Sequence, residues 1–376
     1  MSERDLRVLH VVPSVFGESD EFFGGAERYA YELARAMAKV TPTALLTFGP
    51  TTLARSDGPL TIKVLRNWIH FRRFRFDPVN PFVIKAIRQA DIVHYHQTHT
   101  IMSGFAAVVG RLLGKPVLTT DAGAGGYGLH RLMNTRDLYA GHLHISEFSR
   151  RHFGHTDLST ARVIHGGIDP SRFNADPSFR RGGEVLFVGR LLPHKGIDYL
   201  IEAVGSDIPL RIIGRSFRHA AEYEQLLHRL AEGKQVSFNS RCSDAELVEA
   251  YQTALCIVLP SVYRSVDGQQ HVIPELLGLT LLEGMASRAP AICTAVTSMP
   301  EIVEDGISGF VVPPNDPVAL RERIVWLQDH PIEAARMGEA ARRRAIEGFS
   351  WDLAVQECLS AYLEAVTYGK IGPAKG

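Results

Sequence analysis

The 376-residue sequence has few cysteines and no long apolar run. Its cysteines form no Cys-x-x-Cys pair and all lie in the second half, which disfavours a zinc ribbon and a disulfide framework. No stretch approaches the roughly 20 apolar residues of a membrane-spanning helix, and the apolar start at 6–13 lacks the flanks of a signal peptide. These absences predict a cytoplasmic protein.

A net charge of either sign is also lacking, since 41 Lys and Arg balance 41 Asp and Glu. The balance excludes a uniformly basic nucleic-acid-binding protein. It conceals an asymmetry, because residues 1–170 hold 20 basic and 15 acidic residues while the remainder holds 21 and 26. The positive surplus of the first part favours an anionic partner on that part of the chain.

What the sequence does contain is a regular alternation of short apolar strands and helices. This pattern is typical of parallel sheets covered by helices on both faces. It is interrupted near 166–183, which is rich in Gly, Pro, Asp and Ser. We therefore predict an α/β protein with two doubly wound, Rossmann-like domains that face each other across a cleft. The predicted parts are an N-terminal domain over 1–170, a linker over 171–183, a second domain over 184–348 and a C-terminal helix over 349–376 that packs back on the first domain.

The segment 256–286 is the most informative part of the chain. An apolar strand leads through a loop to Glu275, and a helix begins near Leu279 and contains Glu283. A strand, a glycine turn and a helix N-terminus favour an anion, because the free N–H groups and the helix dipole attract negative charge. Two carboxylates suit the hydroxyl groups beside a phosphate. The segment therefore predicts a nucleotide-sugar site.

The spacing of these two glutamates resembles the Glu-x7-Glu motif of retaining glycosyltransferases with the GT-B fold, in the large group-1 family (family 4). Other motifs similar to those of the family follow one another in the expected order. They are Gly24-Gly25-Ala26-Glu27-Arg28, Val163-Ile164 with Gly167-Ile168-Asp169, Gly189-Arg190-Leu191 with Lys195-Gly196, Pro260-Ser261, and Pro300-Glu301-Ile302-Val303 with Asp305-Gly306. Each motif is weak alone, but the ordered set spans nearly the whole chain.

The resemblance implies a role for each matching residue. Arg190 and Lys195 would hold the diphosphate and stabilise the charge on the leaving group without a metal. Glu275 would accept from a hydroxyl of the donor sugar, and Glu283 would bind the ribose. The other donor-site residues implied are Leu276, Leu277, Gly278, Leu279, Thr280, Gly24, Gly25 and Arg241. Arg190, Lys195 and Glu275 count as catalytic as well.

The first domain departs from the family pattern where many members carry a histidine near the reacting carbon. Register places Ala122 at that position, and Asp121 is the candidate catalytic residue in its stead, with a turn or helix-cap aspartate as the alternative. His96 and His99 are expected on the acceptor side. A zinc site formed with His94 is the less favoured hypothesis, and no metal or cofactor is expected.

Two further segments bear on partners. Residues 66–76 mix four arginines with aromatic side chains, a pattern that fits a solvated basic loop and peripheral contact with a membrane or an anionic acceptor equally well. Residues 262–273, with His271, are longer than is typical of the family before Glu275. This length predicts a cover over the donor pocket that alters the choice of sugar.

The resemblance implies a metal-independent hexosyltransferase with a nucleoside diphosphate sugar as donor, UDP being the preferred nucleotide. It would transfer to a hydroxyl of a sugar, polysaccharide, lipid-linked or small-molecule acceptor and retain the anomeric configuration. The alternatives are a non-catalytic nucleotide-sugar-binding protein and a related GT-B enzyme such as an epimerase. A nicotinamide dehydrogenase is disfavoured, because no Gly-x-Gly-x-x-Gly follows the first strand.

Overall fold

The structure is a computed structural model that describes residues 5–13, 25–66, 80–121, 135–175, 182–216 and 220–371. In the last helix, side chains are described as far as Thr367. The chain divides into two compact units. Unit 1 comprises Met1–Gly167 with Trp351–Gly376, and unit 2 comprises Ile168–Ser350.

Unit 1 is built on an eight-stranded sheet. Its strands are β1 (Val8–Val11), β2 (Thr43–Gly49), β3 (Leu53–Asp57), β4 (Leu60–Arg66), β5 (Ile92–His96), β6 (Val117–Asp121), β7 (Gly141–His144) and β8 (Ala161–Val163). Their order in the sheet is β3-β4-β2-β1-β5-β6-β7-β8, and every neighbouring pair is parallel except β3 with β4. The helices described in the first part of unit 1 are α1 (Gly25–Met37), α2 (Val83–Gln89), α3 (Ile101–Leu112) and α4 (Glu147–His152).

The core of unit 1 lies on both faces of this sheet. On one face, Leu9 and Val11 of β1 pack with α2 and α3, and on the other, Leu45 of β2 packs with Ala30 and Ala34 of α1. Burial on both faces explains why the central strands are continuously apolar, as in other parallel sheets.

Strand β3 is the element that the alternation of the sequence did not predict. It pairs antiparallel with β4 after a turn in which Gly58 has φ 54°. Its residues, Leu-Ala-Arg-Ser-Asp, are almost all exposed, so they show no apolar pattern. An edge hairpin of this kind leaves the doubly wound arrangement unchanged.

Unit 2 contains a six-stranded, wholly parallel sheet. Its strands are β9 (Val185–Val188), β10 (Leu210–Ile213), β11 (Val236–Asn239), β12 (Cys256–Leu259), β13 (Ala291–Thr294) and β14 (Gly309–Val312). The order is β11-β10-β9-β12-β13-β14. The helices are α5 (Ile197–Val204), α6 (Ala221–Ala231), α7 (Asp244–Thr253), α8 (Leu279–Ala286), α9 (Met299–Ile302), α10 (Pro317–Asp329) and α11 (Pro331–Gly348).

The two sheets confirm the predicted α/β class with two doubly wound domains. In unit 2 the strand order reverses between β9 and β12, which are neighbours in the sheet. Ligands of open parallel sheets bind at the carboxyl ends of the strands at such a switch point. This is where the motif residues of unit 2 are found.

The last helix, α12 (Trp351–Ile371), belongs to unit 1 although it follows unit 2 in the chain. The Trp351 ring lies 5.6 Å from the ring of Tyr29 on α1. Farther along α12, Tyr362 is fully buried and its hydroxyl lies 2.6 Å from Nδ1 of His94 on β5. The helix therefore covers the sheet of unit 1.

The start of the segment predicted as a linker packs in unit 2. Phe173 and Ala175 are each only 3% exposed. The guanidinium of Arg342 on α11 donates to the Phe173 carbonyl at 3.0 Å, and that of Arg288 donates to the Asn174 side chain at 2.9 Å. Two buried side chains thus anchor a stretch whose Asp, Pro and Ser content is typical of a loop.

Candidate active site

Lys195 lies at the carboxyl end of β9 in a tight turn. The turn, Pro193–Lys195, is a 3-10 helix, and Gly196, with φ 64°, caps the N-terminus of α5. A Cβ on Gly196 would lie 2.1 Å from the carbonyl oxygen of Pro260. Only glycine allows this conformation and this approach to the segment that follows β12.

The Lys195 ammonium donates to Oε2 of Glu275, and this ion pair joins the segments that follow β9 and β12. The exposed fractions of the two side chains are 11% and 16%. Burial raises the pKa of Glu275, but the charge and the hydrogen bond of Lys195 outweigh it and hold that pKa below its ordinary value. Glu275 is therefore ionised at neutral pH, and the pair offers an ammonium group to an anionic ligand and a carboxylate to a hydroxyl.

The N-terminus of α8 lies directly after Glu275. Leu276 and Leu277 are buried, and the N–H of Leu276 donates to Oε1 of Glu275 at 3.2 Å. Gly278 has φ 68° and caps α8, which begins at Leu279. The N–H groups of a first helical turn have no acceptor within the helix, so this end of α8 favours an anion.

Glu283 lies one turn farther along α8 and is 3% exposed. The hydroxyl of Tyr251 on α7 donates to its Oε2 at 2.7 Å. Tyr251 is therefore a candidate site residue that the sequence motif does not contain. No short-range signal could have found it, because the two residues lie on different helices.

The structure does not bring Arg241 to this group. Arg241 is exposed and follows β11 at the edge of the sheet, where its N–H donates to the Asn239 side chain at 3.0 Å. In the described part of unit 2, no hydrogen bond or ion pair links Arg241 to Lys195, Glu275 or Glu283. Its role in donor binding stays a prediction.

His194 is a second residue that the sequence prediction missed, and it lies among the candidate donor-site charges. Burial, and after it the charges of Lys195 and its neighbours His271 and Arg190, lower the pKa of His194 to about 3, while Glu275 acts in the opposite direction. The imidazole is therefore neutral at physiological pH. The sequence offered one sign of its involvement, because His194 lies between the two motif residues Arg190 and Lys195.

In unit 1, His96 is the last residue of β5, and its Nε2 lies 2.9 Å from Nδ1 of His10. Register sets His10 of β1 opposite His94 of β5, whose ring nitrogens lie 2.6 Å from the Tyr362 hydroxyl and 2.7 Å from that of Thr120. Burial lowers the pKa of His10 to about 3 and that of His94 and His96 well below its ordinary value. These imidazoles form a neutral, hydrogen-bonded cluster.

The grouping differs from the one considered for zinc, because His10 takes the place of His99. One ring nitrogen from each of His10, His94 and His96 lies within 4.8 Å of the others. His99 instead places Nε2 2.9 Å from Oδ2 of Asp121, the 4% exposed last residue of β6. Asp121 and His99 thus form a pair near the carboxyl ends of the strands of unit 1.

The remaining predicted positions lie at the edges of the described residue ranges or outside them. Gly25 is the exposed first residue of α1, and no atom lies within 4 Å of a Cβ added there. Gly24, Ala122 and all of 66–76 except Arg66 lie outside the described residues. Among the described helices, none combines the length and apolar character needed to cross a membrane.

Two open, mainly parallel sheets, with a glycine turn, an ion pair and a helix N-terminus at the switch point of unit 2, define a doubly wound α/β protein of two domains. The sequence matches the family model "Glycosyltransferase Family 4" over residues 23–172. It matches the model "Glycosyl transferases group 1" over 173–344. The chain belongs to the group-1, family 4 glycosyltransferases.

Named relatives and solved structures agree with this assignment. A D-inositol 3-phosphate glycosyltransferase of Streptomyces bingchenggensis is 30% identical over 240 residues, 57% of this chain and 50% of that protein. D-rhamnosyltransferase WbpZ of Pseudomonas aeruginosa is 35% identical over 162 residues, 42% of this chain and 39% of that protein. The chain thus spans half or less of the length of these relatives.

The crystal structure of Anabaena HepE in complex with UDP and glucose has a TM-score of 0.75 to this chain. The two sequences are 16% identical, and the alignment covers 96% of this chain and 100% of HepE. The likeness shows that the protein has the GT-B fold.

Proposed function

We propose that the protein transfers a hexose from a nucleoside diphosphate sugar to an acceptor hydroxyl, without a metal and with retention of the anomeric configuration. The observation that carries this proposal is the Lys195–Glu275 ion pair beside the N-terminus of α8. UDP is the preferred nucleotide, which the UDP complex of the Anabaena neighbour supports. No cofactor other than the donor substrate is required.

On donor binding, the diphosphate takes Lys195 as its counter-charge, together with Arg190 and the first N–H groups of α8. Glu275 then accepts a hydrogen bond from a hydroxyl of the sugar. Glu283, held by Tyr251, binds the ribose. Lys195 and Glu275 already hold each other in place within unit 2, so these two groups are preorganised before the donor arrives.

Transfer breaks the bond between the anomeric carbon and the leaving phosphate oxygen and forms a bond to the acceptor oxygen on the same face. The leaving diphosphate receives the proton of the acceptor hydroxyl. Lys195 and Arg190 stabilise the charge that develops on the leaving group, and no covalent nucleophile is needed.

The acceptor side is proposed for unit 1. Asp121 and His99 form one pair near the strand ends and His96 belongs to the neighbouring cluster, so these polar groups are candidates to bind the acceptor. A sugar, polysaccharide or lipid-linked acceptor, a membrane contact through 66–76 and a cytoplasmic location stay predictions.

The test combines ligand screening with two matched pairs of variants. Thermal shift with UDP-, GDP- and ADP-glucose identifies the nucleotide, since a ligand that binds only the folded state raises the melting temperature. Lys195→Ala and Glu275→Ala are expected to lower nucleotide release from the donor by about 100-fold or more, as loss of a charge-stabilising group does. Arg229→Ala and Glu222→Ala, exposed residues of α6, are the controls.

Near-normal turnover in both site variants would contradict the proposal. Donor binding without any transfer or hydrolysis would instead favour the alternative of a nucleotide-sugar-binding protein. The anomeric configuration of the product, measured by NMR coupling constants, tests retention directly.

A further inference from the structure

A hairpin over residues 263–271 follows β12 and stands beside the Lys195–Glu275 pair. Arg264 and Gln270 form an antiparallel bridge, and the N–H of His271 donates to the Tyr263 carbonyl at 2.7 Å. The segment is therefore an ordered part of unit 2. It is the long stretch that distinguishes this sequence from the usual family pattern before the first glutamate.

The hairpin is attached at both ends to the candidate donor site. The Tyr263 hydroxyl accepts from the N–H of Thr297 at 2.8 Å, and the hydroxyl of Thr297 donates to the Glu275 carbonyl. At the other end, the His271 ring lies 5.0 Å from the ring of His194, the residue just before the lysine of the ion pair. The hairpin thus connects the surroundings of both charged partners.

The two imidazoles have unused hydrogen-bonding atoms. Nε2 of His271 lies 2.9 Å from the hydroxyl of Ser265, which fixes the orientation of the ring. Among the described residues, Nδ1 of His271 and both ring nitrogens of His194 have no hydrogen-bonding partner. His194 directly precedes the lysine of the ion pair, and the His271 ring lies 5.0 Å from its ring, so these nitrogens are candidates to contact a ligand of that pair.

The chemistry of these nitrogens favours a sugar over a phosphate. His194 is neutral because burial and the charge of Lys195 lower its pKa to about 3. A neutral imidazole can donate to or accept from a hydroxyl group, whereas a phosphate prefers a cation, which Lys195 already supplies.

From this geometry we infer that His194 and His271 contact the sugar of the donor and that His271 determines which sugar is accepted. The ligand class is the hexose of a nucleoside diphosphate hexose, recognised through hydroxyl groups other than the one bound by Glu275. The inference rests on the proposed donor site at Lys195 and Glu275.

The experiment compares the dissociation constants of UDP and UDP-glucose by calorimetry, or of the GDP or ADP pair if the screen favours that base. His271→Phe keeps a ring against His194 but removes both nitrogens. We expect it to raise the dissociation constant of UDP-glucose about three- to tenfold, the effect of one lost hydrogen bond, and to leave the dissociation constant of UDP unchanged. His271→Asn, whose amide can replace Nδ1, restores part of the loss.

Val272→Ala changes the neighbouring side chain, which is 70% exposed, and is expected to change neither constant. Equal weakening of UDP and UDP-glucose in His271→Phe would overturn the inference, because the residue would then act only through the lysine turn. If His271→Phe changes neither dissociation constant, the inference is overturned as well. If the wild-type protein binds none of the nucleotides or nucleotide sugars, the proposed donor site itself fails and the inference fails with it.

Discussion

At the scale of single residues, the two glutamates of one motif have different surroundings. Glu275 is neutralised by a lysine, whereas Glu283 is 3% exposed and receives a hydrogen bond from a tyrosine hydroxyl. A hydroxyl stabilises a carboxylate without cancelling its charge. Glu275 can therefore exchange its partner when a ligand arrives, while Glu283 stays a fixed acceptor.

The Tyr251→Phe variant tests the fixed acceptor. Loss of a hydrogen bond to a charged, buried group is expected to lower the free energy of unfolding by about 1.5–3 kcal/mol. The KM for the donor is expected to rise, because Glu283 loses its orientation. Urea unfolding and donor kinetics measure the two effects.

Tyr199→Phe is the control for this variant. Tyr199 is a half-buried tyrosine of α5 whose hydroxyl has no hydrogen-bonding partner among the described residues. A donor KM that rises equally in both variants would show that the hydroxyl of Tyr251 has no special role.

At the scale of elements, the turn between β9 and α5 determines where the lysine lies. Gly196 combines a left-handed backbone with contact to the Pro260 carbonyl. Gly233, after α6, has a similar φ of 74° but no atom within 4 Å of an added Cβ. A comparison of substitutions at the two glycines therefore distinguishes the cost of the left-handed backbone from the cost of the close contact.

Gly233→Ala is expected to cost about 1–2 kcal/mol of unfolding free energy, from the left-handed backbone alone. Gly196→Ala adds a collision with backbone, worth about 1–3 kcal/mol more, and displaces Lys195. Only Gly196→Ala should weaken nucleotide binding. Urea unfolding and UDP affinity measure the outcome, and equal UDP affinity in the two variants would contradict it.

The sequence predicted the elements and motifs that depend on local pattern. The alternation of apolar strands and helices indicated both sheets, and the motif around Glu275 and Glu283 marked the start of α8. The exposed strand β3 has no such pattern. Contacts across the sheet, such as His10 with His96, depend on strand register, which a single sequence does not specify.

At the scale of the whole molecule, buried and partly buried imidazoles are concentrated in the described part of unit 1. Those with a lowered pKa are His10, His94, His96, His142, His144 and His155, and burial is the largest cause for each. In the described part of unit 2, His194 is the one histidine whose pKa is lowered. Acid should therefore destabilise unit 1 more than unit 2.

The direction of this pH dependence of stability follows from proton binding. Between the folded pKa of His144, about 3, and its ordinary value of 6.5, the unfolded chain binds a proton that the folded chain does not. Stability therefore falls as the pH drops through this window, by about 1.4 kcal/mol per pH unit for each such imidazole. Calorimetry between pH 7.5 and 5 should show unit 1 unfolding at progressively lower temperature.

His144→Gln is expected to reduce this pH dependence by about one proton, and His152→Gln, at an exposed position of α4, is the control. The number of protons taken up on unfolding, measured from the pH dependence of stability, decides the matter. An unaltered uptake in His144→Gln would contradict the assignment.

The return of α12 to unit 1 has a consequence for biosynthesis. Unit 2 is inserted into unit 1, and its own two ends are already joined, since the N–H of Ile168 donates to the Phe349 carbonyl at 2.9 Å. A ribosome releases unit 2 complete, while the sheet made first still lacks Tyr362 and the rest of its covering helix. The first-made unit is thus the last to be finished, and it must remain soluble in the meantime with part of its core, around His94, uncovered.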